Sequence, residues 1–436
     1  MNIGLISLGC AKNLVDSEMV LGMFKHSGFT IVNRPEEADV LVVNTCGFID
    51  ASRKESIETI IDMGKYGKKL VVIGCLVERY IDELKKLLPE VDLFVPLREY
   101  SILHAKLKEL LQEVDEKVPE IVELNPFQRL LSTPKYNAYL RISDGCSNNC
   151  TYCAIPLIRG QFKSRPFEDV VKEAKDLASR GIKELVVISQ DTTRYGSDLA
   201  KKTTITELLR ELLKIKEYQY IRLLYLYPDE VRDDLIELIG KEPRLTPYFD
   251  LPIQHASSKV LAKMNRRGDE AFLRGLIERI RAQVPNAIIR TTLIVGFPGE
   301  TEEDFNKLLT FVQDVKFDHL GAFTYSKEEG TAAFRMKNQV PEVVKKERLE
   351  RLMQAQRHIS YQRNKAHIGE IMTGIVTEYD KKHNQYLLRS YWNAPDDIDG
   401  KITFKSDRIL REGQIVNVKI TSAFIYDLDG EHVILD

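Results

Sequence analysis

Three of the chain's six cysteines fall in one stretch, Asp144-Gly145-Cys146-Ser147-Asn148-Asn149-Cys150-Thr151-Tyr152-Cys153. The spacing Cys-x3-Cys-x2-Cys puts three thiolates on a single short loop. Such a loop reaches three irons of a cubane cluster and leaves the fourth iron open to a small molecule. A structural zinc site would take a fourth Cys or His close by, and none follows in the next several residues. Zinc is therefore the weaker reading.

Cys10, Cys46 and Cys75 are dispersed, yet each stands just beyond an apolar run that reads as a buried parallel strand: Ile3–Ser7, Val40–Asn44 and Leu70–Ile73. Loops at the carboxyl ends of parallel strands share one edge of an open sheet, where ligands bind. Three cysteines dozens of residues apart are thus expected to meet in one crevice. Three buried free cysteines are the alternative, which leaves their equivalent placement unexplained. Two sites of three cysteines imply open irons, and so chemistry, at both; an electron carrier would close every position with thiolate.

Helical patterns at Leu14–His26, Asp50–Met63 and Val77–Leu88 separate the first strands, giving an α/β, open parallel sheet over residues 1–115. Pro119, Pro126 and Pro134 then break the periodicity and mark a junction. A second alternation follows in residues 132–365. Its strand candidates are Tyr139–Ser143, Leu185–Ser189, Ile221–Tyr225, Tyr248–Leu251, Ile288–Val295 and Phe317–Gly321, with helices such as Phe167–Ser179, Ile205–Lys214 and Glu302–Val315. Six units predict a partial (β/α)6 barrel rather than a closed barrel of eight. A charged helix over Pro341–Lys365 leads out of it. Residues 366–436 turn to short strands, Ile371–Tyr379, Tyr386–Ser390, Lys401–Phe404, Ile415–Ile420 and His432–Leu435, a small all-β barrel.

No apolar run is long enough for a membrane span, and Met1–Ile6 reads as a strand rather than a signal peptide. A cytoplasmic location is expected, where disulfides are rare and six cysteines point to metal or redox chemistry. A net charge of −2 gives no overall pull toward nucleic acid. Phosphate-cradling loops of the dinucleotide or P-loop kind are absent.

The Cys146–Cys153 loop, with Tyr152 before its last cysteine, resembles the signature of the radical S-adenosylmethionine (SAM) enzymes. The stretches around Cys10, Cys46 and Cys75 resemble the methylthiotransferase domain, and the terminal barrel resembles a TRAM domain. Together they are similar, over essentially the whole chain, to the methylthiotransferase family. The sequences Cys10-Ala11-Lys12-Asn13, Cys46-Gly47-Phe48-Ile49 and Ser143-Asp144-Gly145-Cys146 resemble the branch that modifies a ribosomal protein rather than tRNA.

The resemblance implies two [4Fe-4S] clusters, with all six cysteines as metal ligands, and SAM as both radical source and methyl donor. Its implied substrate is an aspartate of small-subunit ribosomal protein twelve, converted to β-methylthioaspartate. The unactivated methylene of that residue demands radical chemistry, which a cofactor carries. A partner electron donor such as flavodoxin or ferredoxin is implied as well. Gln190, at the end of the second barrel strand, is a candidate for the SAM amino group. Ile294 and Gly296 partly match a pattern found near adenine, although Thr292 and Gly299 depart from it. His255 reads as a hydrogen-bonded structural residue. Residues 366–436 hold eight Lys and Arg against twelve Asp and Glu, a net of −4. An acidic domain suits a basic protein partner better than RNA. A tRNA-modifying enzyme of the same chemistry is the alternative, and a non-catalytic iron–sulfur sensor is a reading of a different class.

Overall fold

The structure is a computed structural model, and it describes residues 1–112, 122–395 and 398–435. Pro119, one of the three junction prolines, lies outside the described residues.

The first sheet has five parallel strands: β1 (Asn2–Ser7), β2 (Thr30–Val32), β3 (Val40–Thr45), β4 (Lys69–Gly74) and β5 (Leu93–Val95), in the order β2-β1-β3-β4-β5. Strand β3 is buried throughout, as expected of a central strand covered on both faces. Helices α1 (Ala11–His26), α2 (Asp50–Gly64), α3 (Cys75–Leu87) and α4 (Leu103–Leu110) flank the sheet. The expected strands and helices are present. The three-residue strands β2 and β5 are additions too short to leave a periodic signal.

The second unit begins with β6 (Asn137–Arg141). A small ribbon, β7 (Ser143–Asp144) with β8 (Lys163–Ser164), brackets the helix α5 (Ile155–Arg159). Strands β9 (Glu184–Ile188), β10 (Tyr220–Leu223), β11 (Tyr248–Asp250), β12 (Ile288–Val295) and β13 (His319–Thr324) follow, alternating with α6 (Phe167–Ser179), α7 (Ile205–Leu212), α8 (Asp233–Lys241), α9 (Ser258–Lys263), α10 (Glu270–Gln283) and α11 (Glu302–Val315). They pair in parallel as β10-β9-β6 and β11-β12-β13, and a parallel bridge from Ile221 to Leu245 joins the halves. The result is the expected six-stranded open barrel. Reciprocal capping bonds, Thr204 with Glu207 and Thr301 with Asp304, fix the starts of α7 and α11.

Helix α12 (Glu342–Lys365) leads to a closed barrel of β14 (Ile371–Asp380), β15 (Gln385–Arg389), β16 (Ile402–Lys405), β17 (Ile415–Ala423) and β18 (Leu428–Val433). Strand β18 starts four residues before the expected His432–Leu435. This barrel packs over the amino-terminal ends of the six central strands. Arg222 of β10 donates to the Ser390 and Tyr391 carbonyls (2.6 and 3.2 Å), and Tyr248 donates to Asp399 (2.6 Å). One end of the central barrel is thereby closed, and its carboxyl end faces the first sheet.

Candidate active site

Cys46 and Cys75 directly follow β3 and β4, and Cys10 follows β1 after Leu8 and Gly9, at the carboxyl ends of three adjacent strands. Asn13 ties the three loops together. Its amide nitrogen donates to the Leu8 carbonyl (2.7 Å) and the Thr45 carbonyl (3.4 Å), and its amide oxygen lies 3.8 Å from Cys75 Sγ. The loops also touch directly: a Cβ on Gly47 would stand 2.7 Å from Leu76 Cα. Only glycine allows so close an approach of backbones.

Cys146, Cys150 and Cys153 occupy the loop between β7 and α5, at the carboxyl edge of the central barrel. The Cys146 N–H donates to the Gly160 carbonyl (3.1 Å) and the Thr151 N–H to the Met264 carbonyl (3.0 Å), so both ends of the loop are fastened. Donors surround the sulfurs: the Ile155 N–H toward Cys153 (3.4 Å), Tyr227 Oη (3.6 Å) and Arg266 (3.8 Å) toward Cys150.

The two sets meet through α1 and α5. Arg159, the last residue of α5, lies 2.6 Å from Asp16 of α1, 3.3 Å from Asp144 and 3.6 Å from Cys75 Sγ. Arg141 also reaches Asp16 (2.5 Å). Farther out, Glu328 pairs with Arg79 (3.1 Å), both buried, while Arg79 holds the Gly47 carbonyl (2.6 Å). Apart from Asp144, which lies in the quoted Cys146 stretch, none of these residues was singled out from the sequence. For Asp16 a signal lies in the polar run Lys12, Asn13, Asp16, Ser17 and Glu18, all buried on the first turns of α1.

Gln190 follows β9, and its amide nitrogen donates to Asp144 (3.1 Å). That bond orients the amide, leaving Oε1 buried without a partner. Ile294 packs with Tyr152, Val260 and Met264 beside the loop. Gly296 has φ of +73°, its N–H donates to Glu300 (2.8 Å), and a Cβ there would meet Lys345. This turn and contact account for the glycine. His255 is fully buried; its Nδ1 accepts from the Ser257 N–H (2.9 Å), and its Nε2 lies 3.5 Å from Glu300 without a hydrogen bond.

The cysteine sets fit iron–sulfur clusters. Burial pushes the Cys75 thiol up to about 12, with Cys10 and Cys46 adding to the rise. Burial likewise raises Cys153, helped by Cys150 and Cys146. Burial would raise Cys10 too, but Lys12 and Arg159 outweigh it and hold that thiol low. Thiols raised in this way are inert until a metal takes the thiolate. Among the described residues, no three His, Cys, Asp or Glu side chains converge as the ligands of one ion would. Sulfurs that each bond a different iron have no need to. The unpartnered Gln190 Oε1 is an acceptor suited to an ammonium group.

Family models agree with this division. Residues 2–96 match the uncharacterized protein family UPF0004, residues 140–312 the radical SAM superfamily, and residues 368–433 the TRAM domain. In fold, the chain is similar to the radical SAM methyltransferase TsrM of Kitasatospora setae (TM-score 0.55, 14% identity, 74% of this chain and 72% of that one). It is similar also to the cobalamin-dependent radical enzyme OxsB (TM-score 0.51, 12% identity, 81% and 56%). The class that fold and site define is the radical SAM enzymes, here with a second cysteine site on an open sheet. The "Ribosomal protein uS12 methylthiotransferase RimO" of Alkaliphilus oremlandii (strain OhILAs) is 45% identical over 99% of both chains. That of Aquifex aeolicus (strain VF5) is 46% identical over 99% of this chain and 97% of its own. The chain belongs to this family of radical SAM methylthiotransferases.

Proposed function

We propose that the chain transfers a methylthio group to the β-carbon of an aspartate in ribosomal protein uS12, giving β-methylthioaspartate. The observation that carries the reading is the junction of the two cysteine sets through Arg159, Asp16 and Asp144. Full-length likeness to RimO proteins supports the substrate.

Cys146, Cys150 and Cys153 would hold one [4Fe-4S] cluster with SAM, and Cys10, Cys46 and Cys75 a second cluster. When bound, these groups supply hydrogen abstraction from an unactivated carbon, the sulfur and the methyl group. The chain's own residues do the placing. Gln190 offers Oε1 to the SAM ammonium and keeps its other end on Asp144. Ile294 lines the apolar side, and the Gly296 turn shapes it. Arg159 and Asn13 hold the Cys75 loop against the barrel edge, and Glu328 with Arg79 locks the two units so that water is kept from the space between them.

The working division is 1–115, 132–365 and 366–436, with the acidic last unit facing the basic ribosomal protein. A flavodoxin or ferredoxin would deliver electrons in the cytoplasm. Among the described residues no helix is long and apolar enough to cross a membrane.

The test is anaerobic incubation of the reconstituted enzyme with SAM, reductant, and either uS12 or tRNA. The expected product is uS12 heavier by SCH3 in place of H. Modification of tRNA alone overturns the reading.

A further inference from the structure

Among the described residues, one buried cation where the first unit meets the central barrel faces no carboxylate. Arg141 and Arg159 face Asp16 and Asp144, two cations against two carboxylates. Lys12 has no such match. It is 7% exposed, and its ammonium stands 3.3 Å from the centre of the Tyr225 ring. The ionisable groups that act on it most are Tyr225, Cys10 and Arg159, none of them a carboxylate. Of these, the Cys10 thiolate, whose charge a bound cluster would share, is the counter-charge; a buried ammonium matched so weakly is costly, and an aromatic face recovers only part of that.

Its position is telling. Lys12 lies two residues beyond Cys10 on α1, and Tyr225 lies just beyond β10 at the carboxyl edge of the central barrel. The ammonium therefore sits where the two units meet, beside the second cysteine set. Tyr225 has φ of +63°, the left-handed region, which is rare for an aromatic residue. The conformation is held by its N–H on Asp250 (2.9 Å) and its carbonyl on the Thr192 N–H (3.0 Å). Strain maintained at such a junction is a mark of function, and here it sets the ring beneath Lys12.

We propose that Lys12, seated on Tyr225, receives the side-chain carboxylate of the substrate aspartate and selects aspartate over its uncharged analogue. The proposal rests on the reading of uS12 as substrate and names the group that recognises the reacting residue. The β-methylene is bonded directly to the carboxylate carbon. Anchoring the carboxylate therefore fixes which carbon is presented for attack. A nucleic-acid base would bring no carboxylate to this ammonium.

The test uses reconstituted holoenzyme and two fluorescent peptides, one with the target aspartate of uS12 and one with asparagine in its place. For the unsubstituted enzyme, the aspartate peptide is expected to bind about 30-fold more tightly or better, the scale of a desolvated charge pair. Lys12→Met brings that ratio close to one while both clusters keep their iron. Lys12→Arg keeps most of the preference. Should Lys12→Met lose iron, the ratio is read on Lys12→Gln. A Met or Gln variant that retains iron and keeps the full ratio overturns the proposal. So does a shifted cluster potential with the ratio intact, since Lys12 would then only offset cluster charge. If the unsubstituted enzyme binds neither peptide, the uS12 reading itself has failed, and the proposal falls with it.

Discussion

Arg159 places its guanidinium 2.6 Å from the Asp16 carboxylate, with both side chains almost wholly buried. The two residues belong to different units of the chain. Their contact fixes α1, which starts at one cysteine set, against α5, which ends the loop carrying the other. This ion pair, with the Glu328–Arg79 pair farther out, thus helps to set the relative placement of the two cysteine sets.

Asp16→Ala leaves Arg141 and Arg159 buried with only Asp144 between them. Breaking a buried pair from one side costs about 3–5 kcal/mol, because the stranded charge remains. Chemical denaturation should show that loss. Pairing it with Arg159→Met should recover part of it, so that the double variant is more stable than the sum of the two single losses predicts. Simple additivity would mean the pair does not couple the units.

The proposed ligand sets predict two distinct defects from one kind of substitution. Each cubane contributes four irons, so anaerobic iron analysis should fall from about eight to about four per chain for Cys146→Ala or Cys75→Ala. Cys146→Ala should abolish reductive cleavage of SAM. Cys75→Ala should cleave SAM yet yield no methylthiolated uS12.

Gln190 tests the binding of SAM without reference to turnover. Its Oε1 is buried and unpartnered, and its amide is held by Asp144. Gln190→Leu removes an acceptor for a charged donor, and SAM affinity should weaken about 10- to 100-fold. Equilibrium dialysis on the reconstituted protein measures this. Unchanged affinity would assign the orphaned oxygen no part in SAM binding.

The cysteines, the α/β class and the chemistry could be read from the sequence because each is local or periodic. Buried strands carry apolar runs such as Val40–Val43, and α11 begins at its own capping box. The misplaced strand shows the opposite case. The sequence pattern puts the last strand at His432–Leu435, yet closure of the barrel pairs Asp429 with Thr403 and Gly430 with Phe404, and the long-range pairing wins. The ion pairs of the site were illegible for the same reason. Asp16 and Arg159 lie 143 residues apart, and no spacing rule joins them. Gly296 illustrates a third limit: a glycine near a motif can be set there by a turn and by Lys345, whatever it does for a ligand.

Docking of the terminal barrel should fail in acid. Burial alone would raise the Asp399 pKa, but His319 and Arg290 outweigh it and hold the carboxylate below its usual range. A group whose folded pKa is depressed contributes stability above its unfolded value, about 4, and loses it as pH falls through the lower folded value. Limited proteolysis should therefore find the terminal barrel equally protected from neutral pH down to about 5, and released only below about 4. Asp399→Asn should weaken docking by about 1–3 kcal/mol at neutral pH and flatten the acid dependence.

Gly47 offers the most selective disturbance of the second cysteine set. A methyl group there would stand 2.7 Å from Leu76 Cα and 2.8 Å from its nitrogen, both backbone atoms that cannot rotate aside. Gly47→Ala must push the Cys46 loop away from Cys75. The Cys146 loop lies on another unit, so its cluster should survive. The variant is expected to bind about four irons and to cleave SAM, with no transfer of sulfur to uS12. Retention of about eight irons would mean that the two loops can separate without losing the cluster, and would set the ligand assignment of Cys46 or Cys75 aside.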